Sequence, residues 1–439
     1  MTIKTFFLSI CLPVLVITSG CGNDRMDDIK VPDTDTGISA SGKIRTVDEA
    51  VEIAGQAAEL FGRRSEVSRS HLSASSARVH VVGSAKSRSG EPSDTLLYVV
   101  DYGDNAGFAV ISAPYGTEAL LAVTEKGDFG SMETIQNPGF QYYMDAARSY
   151  AAAATSLNAG GSAIITPAEY TIYQFVNDEI EPKVKVEWGQ RYPEGIFCPN
   201  GICGCVQTAL AQIFSYFEEP LELNLTYPER ELSKISLQWD DLKKHIRSTD
   251  YGDDYYGSHM AMCDATEQSH IGLGILCREL GHRNSAIYMD FETLVFGDQI
   301  PRRTCRDILI NHQVDEIENY ISADDFYNGL KEGIAYFSGS SSENAVGHAW
   351  VADGGRVVGK KIYYYSNYEK DPETGKDVLL RVVDNTSTYF HFNWGWNGYC
   401  NGYFDAGVFA VDKGAEYDNP DGNYGGYNFN SRQKYFIIK

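Results

Sequence analysis

Cys205, His348 and Asn393 stand in an order and a setting that suit covalent catalysis by a thiol. Cys205 comes directly before Val206, Ala209, Leu210, Ile213, Phe214 and Phe217, whose offsets of 0, 3, 4, 7, 8 and 11 mark one apolar helical face. The cysteine therefore opens a helix, where unpaired backbone N–H groups and the helix dipole favour a thiolate. Gly204 before it allows a tight turn and leaves the sulfur approachable. His348 begins an alternating, strand-like segment 143 residues later, and Asn393 follows after another 45 in an aromatic strand-like run. In that order the imidazole would take the thiol proton to form a thiolate–imidazolium pair, and the asparagine would orient the other ring nitrogen. A cysteine alone in an exported chain reads first as half of a disulfide, and a histidine alone on a strand as packing. Their combination carries the catalytic reading.

The elements that must hold these residues form two units. Thr46-Val47-Asp48-Glu49 is a capping box, followed by apolar residues at helical spacing from Val47 to Phe61. Strand-like runs lie at Val79 to Val82, Leu96 to Asp101, Phe108 to Ser112 and Leu120 to Thr124, and Gly103 to Gly107 reads as a hairpin connection between the middle two. A second helix is expected from about Pro138 to Ala154, and Asn158 to Ser162 is the best linker in the chain. This places a boundary near residue 165 and leaves the first unit with no cysteine and no catalytic cluster. Binding, folding or inhibition suits it better than chemistry. The second unit, from 166 to 439, carries the Cys, His and Asn blocks.

With 439 residues, 43% hydrophobic and 22% charged, the chain is globular, and disorder as a whole-chain description is excluded. A net charge of −23 sets most of its surface against nucleic acid and anionic membranes. At the N-terminus, Lys4, the apolar run Phe6 to Ile17 and Thr18-Ser19-Gly20 before Cys21 have the layout of a signal peptide over residues 1–20. Cys21 sits where a bacterial lipobox places its lipidated cysteine, and residues 21–44 read as a flexible tether. The expected location is the cell envelope through that lipid, or outside the cell after processing. Export makes the remaining cysteines informative. Cys198, Cys203, Cys205, Cys263, Cys277, Cys305 and Cys400 are odd in number, so at least one stays unpaired within a monomer. If Cys205 is the nucleophile, the other six allow up to three disulfides. No metal is expected, because the cysteines near Cys205 lack a second CxxC or a His pair at zinc spacing.

Three blocks together resemble the streptopain family of bacterial papain-like cysteine endopeptidases: Gly204 to Gln212, Gly347 to Gly354 and Asn393 to Trp396. In the first unit, Tyr98-Val99-Val100 and Gly107 to Ser112 look like that family's inhibitory pro-domain. The resemblance runs over most of residues 45 to 439. It implies an α+β fold, in which a small α+β pro-domain (45–165) precedes a papain-like domain with a central helix on an antiparallel sheet. It also implies a secreted zymogen that hydrolyses protein or peptide substrates without a cofactor, inhibited by its own pro-domain. By the same resemblance Cys205 is the nucleophile, His348 the base and then acid, Asn393 the orienting residue, and Gln190 an oxyanion donor beside the Cys205 N–H. Gly347, Trp394 and Trp239 match positions that border the substrate. A Ser/Gly-rich substrate loop of the family is replaced here by Phe291 to Arg303, and Lys360 to Asp384 is added as a hairpin. A cell-wall amidase would share the Cys and His but lack the Asn-Trp-Gly-Trp block. A catalytically silent binding lipoprotein would keep the fold without the intact Cys, His, Asn and Gln set.

Overall fold

The computed structural model describes residues 29–30, 44–62, 78–83, 95–115, 117–159, 170–229, 232–245, 266–318, 322–340, 347–409 and 433–439. Cys11, Cys21, Cys263, the Gly160-Gly161 linker with the expected boundary near 165, and the tail from Gly414 to Asn430 lie outside them.

Along the chain, β1 (Ile29–Lys30) is followed by α1 (Val47–Phe61), the strands β2 (Arg78–Gly83), β3 (Thr95–Asp101), β4 (Phe108–Ser112) and β5 (Leu120–Thr124), and α2 (Pro138–Ala159). The capping box forms as the sequence suggests: Thr46 Oγ1 accepts the Glu49 N–H, and the Glu49 carboxylate accepts the Thr46 N–H. One face of α1 then buries Ala50, Val51, Ala54, Ala57, Leu60 and Phe61. β3, β4 and β5 are buried almost throughout, because helices cover both of their faces.

The second unit starts with β6 (Tyr170–Ile180) and α3 (Cys205–Phe217). The hairpin β7 (Glu222–Glu229) and β8 (Leu232–Ser236) leads to the short helix α4 (Trp239–Leu242) and to α5 (Glu267–Arg283). A small hairpin, β9 (Ile287–Tyr288) and β10 (Thr293–Leu294), precedes α6 (Gln299–Ile308) and α7 (Ala323–Glu332). The segment Phe291 to Arg303 is thus part strand and part helix. The remaining strands are β11 (Ile334–Ser340), β12 (Gly347–Lys370), β13 (Asp377–Asn393), β14 (Gly402–Asp405) and β15 (Lys434–Ile438). β12 and β13 extend outward as the expected hairpin, paired as far as Lys370 with Asp377.

The fold is α+β, with an antiparallel sheet and α3 as the helix packed on it. The two units share that sheet: β14 pairs antiparallel with β5, Gly402 opposite Thr124 and Phe404 opposite Ala122, which joins the strand order β6-β12-β13-β14 to β5-β4-β3-β2. β12 separates two cores. Trp350 and Ala352 pack with the α2 residues Phe140, Tyr142 and Tyr143 on one face, while Ala349 and Val351 pack with Leu210, Ile213 and Phe214 of α3 on the other. α2 and α3 therefore lie on opposite sides of the strand that carries His348. Among the described residues no helix is long and apolar enough to cross a membrane.

Candidate active site

Cys205 is the first residue of α3, and the backbone reaches it through Gly204 at φ +97°, a conformation that a side chain would strain. A Cβ there would also crowd Thr293 Cβ at 3.0 Å. Thr293 in turn donates to the Ile202 carbonyl at 2.7 Å, and Asn200 Nδ2 donates to the carbonyls of Met289 and Glu292. These bonds fix the β9–β10 hairpin beside Cys205. The first turn of α3 is tied down as well: Thr208 Oγ1 donates to the Gly189 carbonyl at 2.8 Å, and the Cys203 N–H to the Gln190 carbonyl at 2.8 Å. Half-buried Gln190 is thereby held next to the start of α3.

The thiol of Cys205 lies against backbone N–H groups of Ala349 and Val206, which favour its ionised form. Burial is the larger effect and pushes the thiol up to about 11, although the residue keeps some exposed surface. The sequence leads one to expect an activated thiol at a helix N-terminus. Here burial outweighs that activation, and no cation among the described residues offsets it.

His348 explains the deficit. Its ring points to the α2 side of β12, 6.3 Å from the Trp350 ring, centre to centre, and in a near-parallel stack with it. Nε2 donates to the Trp394 carbonyl at 2.8 Å, so this nitrogen carries the proton of the neutral ring. Burial lowers the histidine to about 4, only partly offset by the Trp394 carbonyl. Gly139, in the first turn of α2, seals the ring in: a Cβ at that position would stand 2.5 Å from both His348 Cδ2 and Trp394 Cε3. The thiol and the imidazole thus face opposite sides of one strand, and both are neutral.

The other residues singled out by sequence are distributed around this pair. Asn393 holds backbone instead of His348: its Nδ2 donates to the Val186 carbonyl at 2.8 Å, and its Oδ1 accepts the Gly395 N–H. Trp394 is fully buried under α2, with its indole N–H on the Cys400 carbonyl. Gly347 is exposed at the start of β12. Trp239 is 3% exposed in the core behind α3, with its indole N–H on the Pro220 carbonyl, so it offers no surface to a substrate here. None of the six described cysteines is joined in a disulfide. Cys203 and Cys277 are close enough to share a side-chain hydrogen bond, and both are buried. Among the described residues no group of His, Cys, Asp or Glu is arranged to hold a metal ion. Sequence reasoning missed Gly139 and Thr293. Only the pairing of distant elements brings them to the site, and neither lies in a motif.

Family comparison accounts for the two units separately. The profile described as the peptidase C10 family matches residues 187–404, which span Cys205, His348 and Asn393. Residues 187–404 are a peptidase domain of the C10, or streptopain, family. A second profile, described as Spi protease inhibitor, matches residues 45–151, the unit that supplies α1, α2 and β2 to β5. This C10 peptidase thus carries a protease-inhibitor pro-domain, and its organisation is that of a cysteine-peptidase zymogen. Among solved structures, a fragment of prointerpain A from Prevotella intermedia is similar at 20% identity and a TM-score of 0.49, over 82% of this chain and 98% of that one. The curated proteins contain no match.

Proposed function

We propose that this zymogen is an exported endopeptidase whose latency lies in the position of one imidazole. Cys205 and His348 are the catalytic pair, and removal of the pro-domain unites them. The observation that carries this reading is that Cys205 rests on the backbone of Ala349, the residue next to His348, while the His348 ring is sealed beneath Gly139. Once α2 leaves, the ring loses its cover, and rotation about the start of β12 brings it to the thiol. Transfer of the thiol proton to His348 then yields thiolate and imidazolium, each stabilising the other. The thiolate attacks the scissile carbonyl carbon, and the resulting oxyanion is received by the Cys205 N–H and the Gln190 side-chain amide. The imidazolium gives its proton to the leaving amine, which departs as the C–N bond breaks. Water, deprotonated by the same imidazole, then attacks the acyl carbon, the C–S bond breaks to release the carboxylic acid, and the thiolate–imidazolium pair is restored. Asn393 and Trp394 flank the histidine in that state.

The signal-like run before Cys21 supports export, and Cys21 is the proposed lipid attachment point. The lipid would then belong to the pro-domain piece, so cleavage in the linker releases the catalytic domain unless the pieces stay bound. A peptide-like electrophile tests the central claim. Chain cut in the linker should be labelled at Cys205, as read by peptide mapping, and uncut chain should not. Equal labelling of both, or labelling of Cys203 instead, overturns the reading.

A further inference from the structure

The surface that the pro-domain covers on the catalytic domain has a chemistry of its own. Arg356 and Lys360 of β12 and His391 of β13 share one face of the sheet with Val358, Tyr389 and Tyr403. All three basic side chains are nearly inaccessible, at 8%, 4% and 4% exposure. Part of what covers them comes from the first unit. Lys360 pairs with Glu118, whose second oxygen accepts a hydrogen bond from Ser387 Oγ at 2.7 Å. Nε2 of His391 faces the Glu125 carboxylate at 3.8 Å, and its Nδ1 is held by Asp353 of its own domain at 2.6 Å. Arg356 pairs with Glu179 of its own domain, donates to the Leu60 carbonyl at the end of α1 and lies over the Phe61 ring. Glu118 and Glu125 flank the strand Leu120–Thr124, which is the one that pairs with β14.

When the pro-domain departs, three features are uncovered together: the free edge of β14, an apolar floor of Val358, Tyr389 and Tyr403, and a basic rim. An exposed edge strand with an apolar face is a template for strand addition. The whole chain carries a net charge of −23, so a cationic rim stands out as a recognition feature even though Glu179 and Asp353 of the same domain partly offset Arg356 and His391. We infer that the activated enzyme uses this surface as a substrate exosite, away from Cys205, for extended protein segments with an apolar run between two carboxylates. Such a segment adds antiparallel to β14 as β5 does, with its carboxylates on Lys360 and His391. The inference rests on the reading that cleavage frees the catalytic domain, and it assigns the surface to protein substrates. Its charge complementarity and its continuity with the β5–β14 pairing support that assignment.

The test uses the full chain after cleavage in its linker and two substrates with the same scissile sequence. One carries the segment EALLAVTE, residues 118–125 of this chain, appended through a flexible Gly/Ser spacer. The appended substrate should have a kcat/KM about tenfold or more above the short one, because binding at the exosite raises its effective concentration at the thiol. Free EALLAVTE peptide should abolish the gain without slowing the short substrate. Replacing both end glutamates by glutamine, or Lys360→Gln in the enzyme, should remove most of it and leave short-substrate turnover unchanged. Equal kcat/KM for the two substrates overturns the exosite while leaving the peptidase reading intact. If the short substrate is not turned over at all, that reading falls, and fluorescence anisotropy of labelled EALLAVTE on the cut protein still decides the exosite. Binding that is lost in Lys360→Gln supports it, and no binding at millimolar peptide overturns it, including where the pro-domain remains seated.

Discussion

On the helix side of the active site, Cys205 is seated at the start of α3 with its thiol against the Ala349 backbone, and Thr208 and Cys203 tie the preceding turn to Gly189 and Gln190. On the strand side, His348 points away from that thiol, bonded to the Trp394 carbonyl and packed under Gly139 of the pro-domain. On the proposed reading the nucleophile is already in place and the base is withheld. Storing the enzyme this way leaves the deep core around α3 undisturbed and confines the change on activation to one ring and its cover. It also leaves both groups neutral, the thiol up at about 11 and the imidazole down at about 4, so neither can begin the reaction alone.

Removing either half should have the largest effect. In cut chain, Cys205→Ala and His348→Ala are each expected to lower kcat by about four orders of magnitude or more, since members of such a pair act as a unit. Asn393→Ala should leave measurable turnover, and peptide hydrolysis assays separate the three variants.

The seam that keeps the histidine covered comes next. Lys360→Ala strands Glu118 in a buried setting, and breaking such a pair costs about 3–5 kcal/mol. Denaturant unfolding of uncut chain should register that loss, together with a higher basal activity as the pro-domain loosens.

Alkylation sharpens the comparison through pH. In uncut chain the thiolate fraction, and with it the rate of reaction with iodoacetamide, should climb steadily as pH rises toward about 11. In cut chain the rate should level off at acid pH, because the imidazolium stabilises the thiolate. At pH 7 the thiolate gain is several powers of ten, but a less basic sulfur is also a weaker nucleophile. The net acceleration expected is therefore about tenfold to a hundredfold. Identical pH profiles before and after cutting would mean that the histidine is not what the thiol lacks.

A subtler perturbation breaks the cover alone. The methyl group in Gly139→Ala collides with His348 and Trp394, so the uncut chain should gain basal activity severalfold and lose about 1–3 kcal/mol of stability. The smallest effect belongs to Lys126→Ala. Its pair with Glu187 at 3.0 Å bridges the two units but is partly exposed, and it should cost no more than about 1 kcal/mol.

The helix side was legible in the sequence and the strand side was not, for physical reasons. The apolar offsets that follow Cys205 and the Thr46 capping box are local patterns, and α3 and α1 start where those patterns put them. Alternation from Gly347 also identifies β12 as a strand. Which side of it His348 faces depends on what packs there, and α2, some 200 residues earlier in the chain, takes that side. The bond from Asn393 to the Val186 carbonyl is equally remote from any motif. The first unit's strands, β2 to β5, were found one by one, yet the pairing of β5 with β14 was not, because short apolar strands carry no mark of their partner. The match between Glu118 and Lys360, 242 residues apart, was hidden in the same way.

The shared sheet also bears on how the molecule is made. Thr124 and Gly402 are paired neighbours although about 280 residues separate them, so this contact closes late. Synthesis delivers the inhibitor unit first, and domains emerging in that order fold as they appear. By the time Asn393 and β14 follow, β5 is already presented as a ready edge, and the last strands of the catalytic sheet complete themselves against it. The newborn enzyme thus has no interval in which its site is assembled and unguarded. The inhibitor is part of the surface on which the site is built.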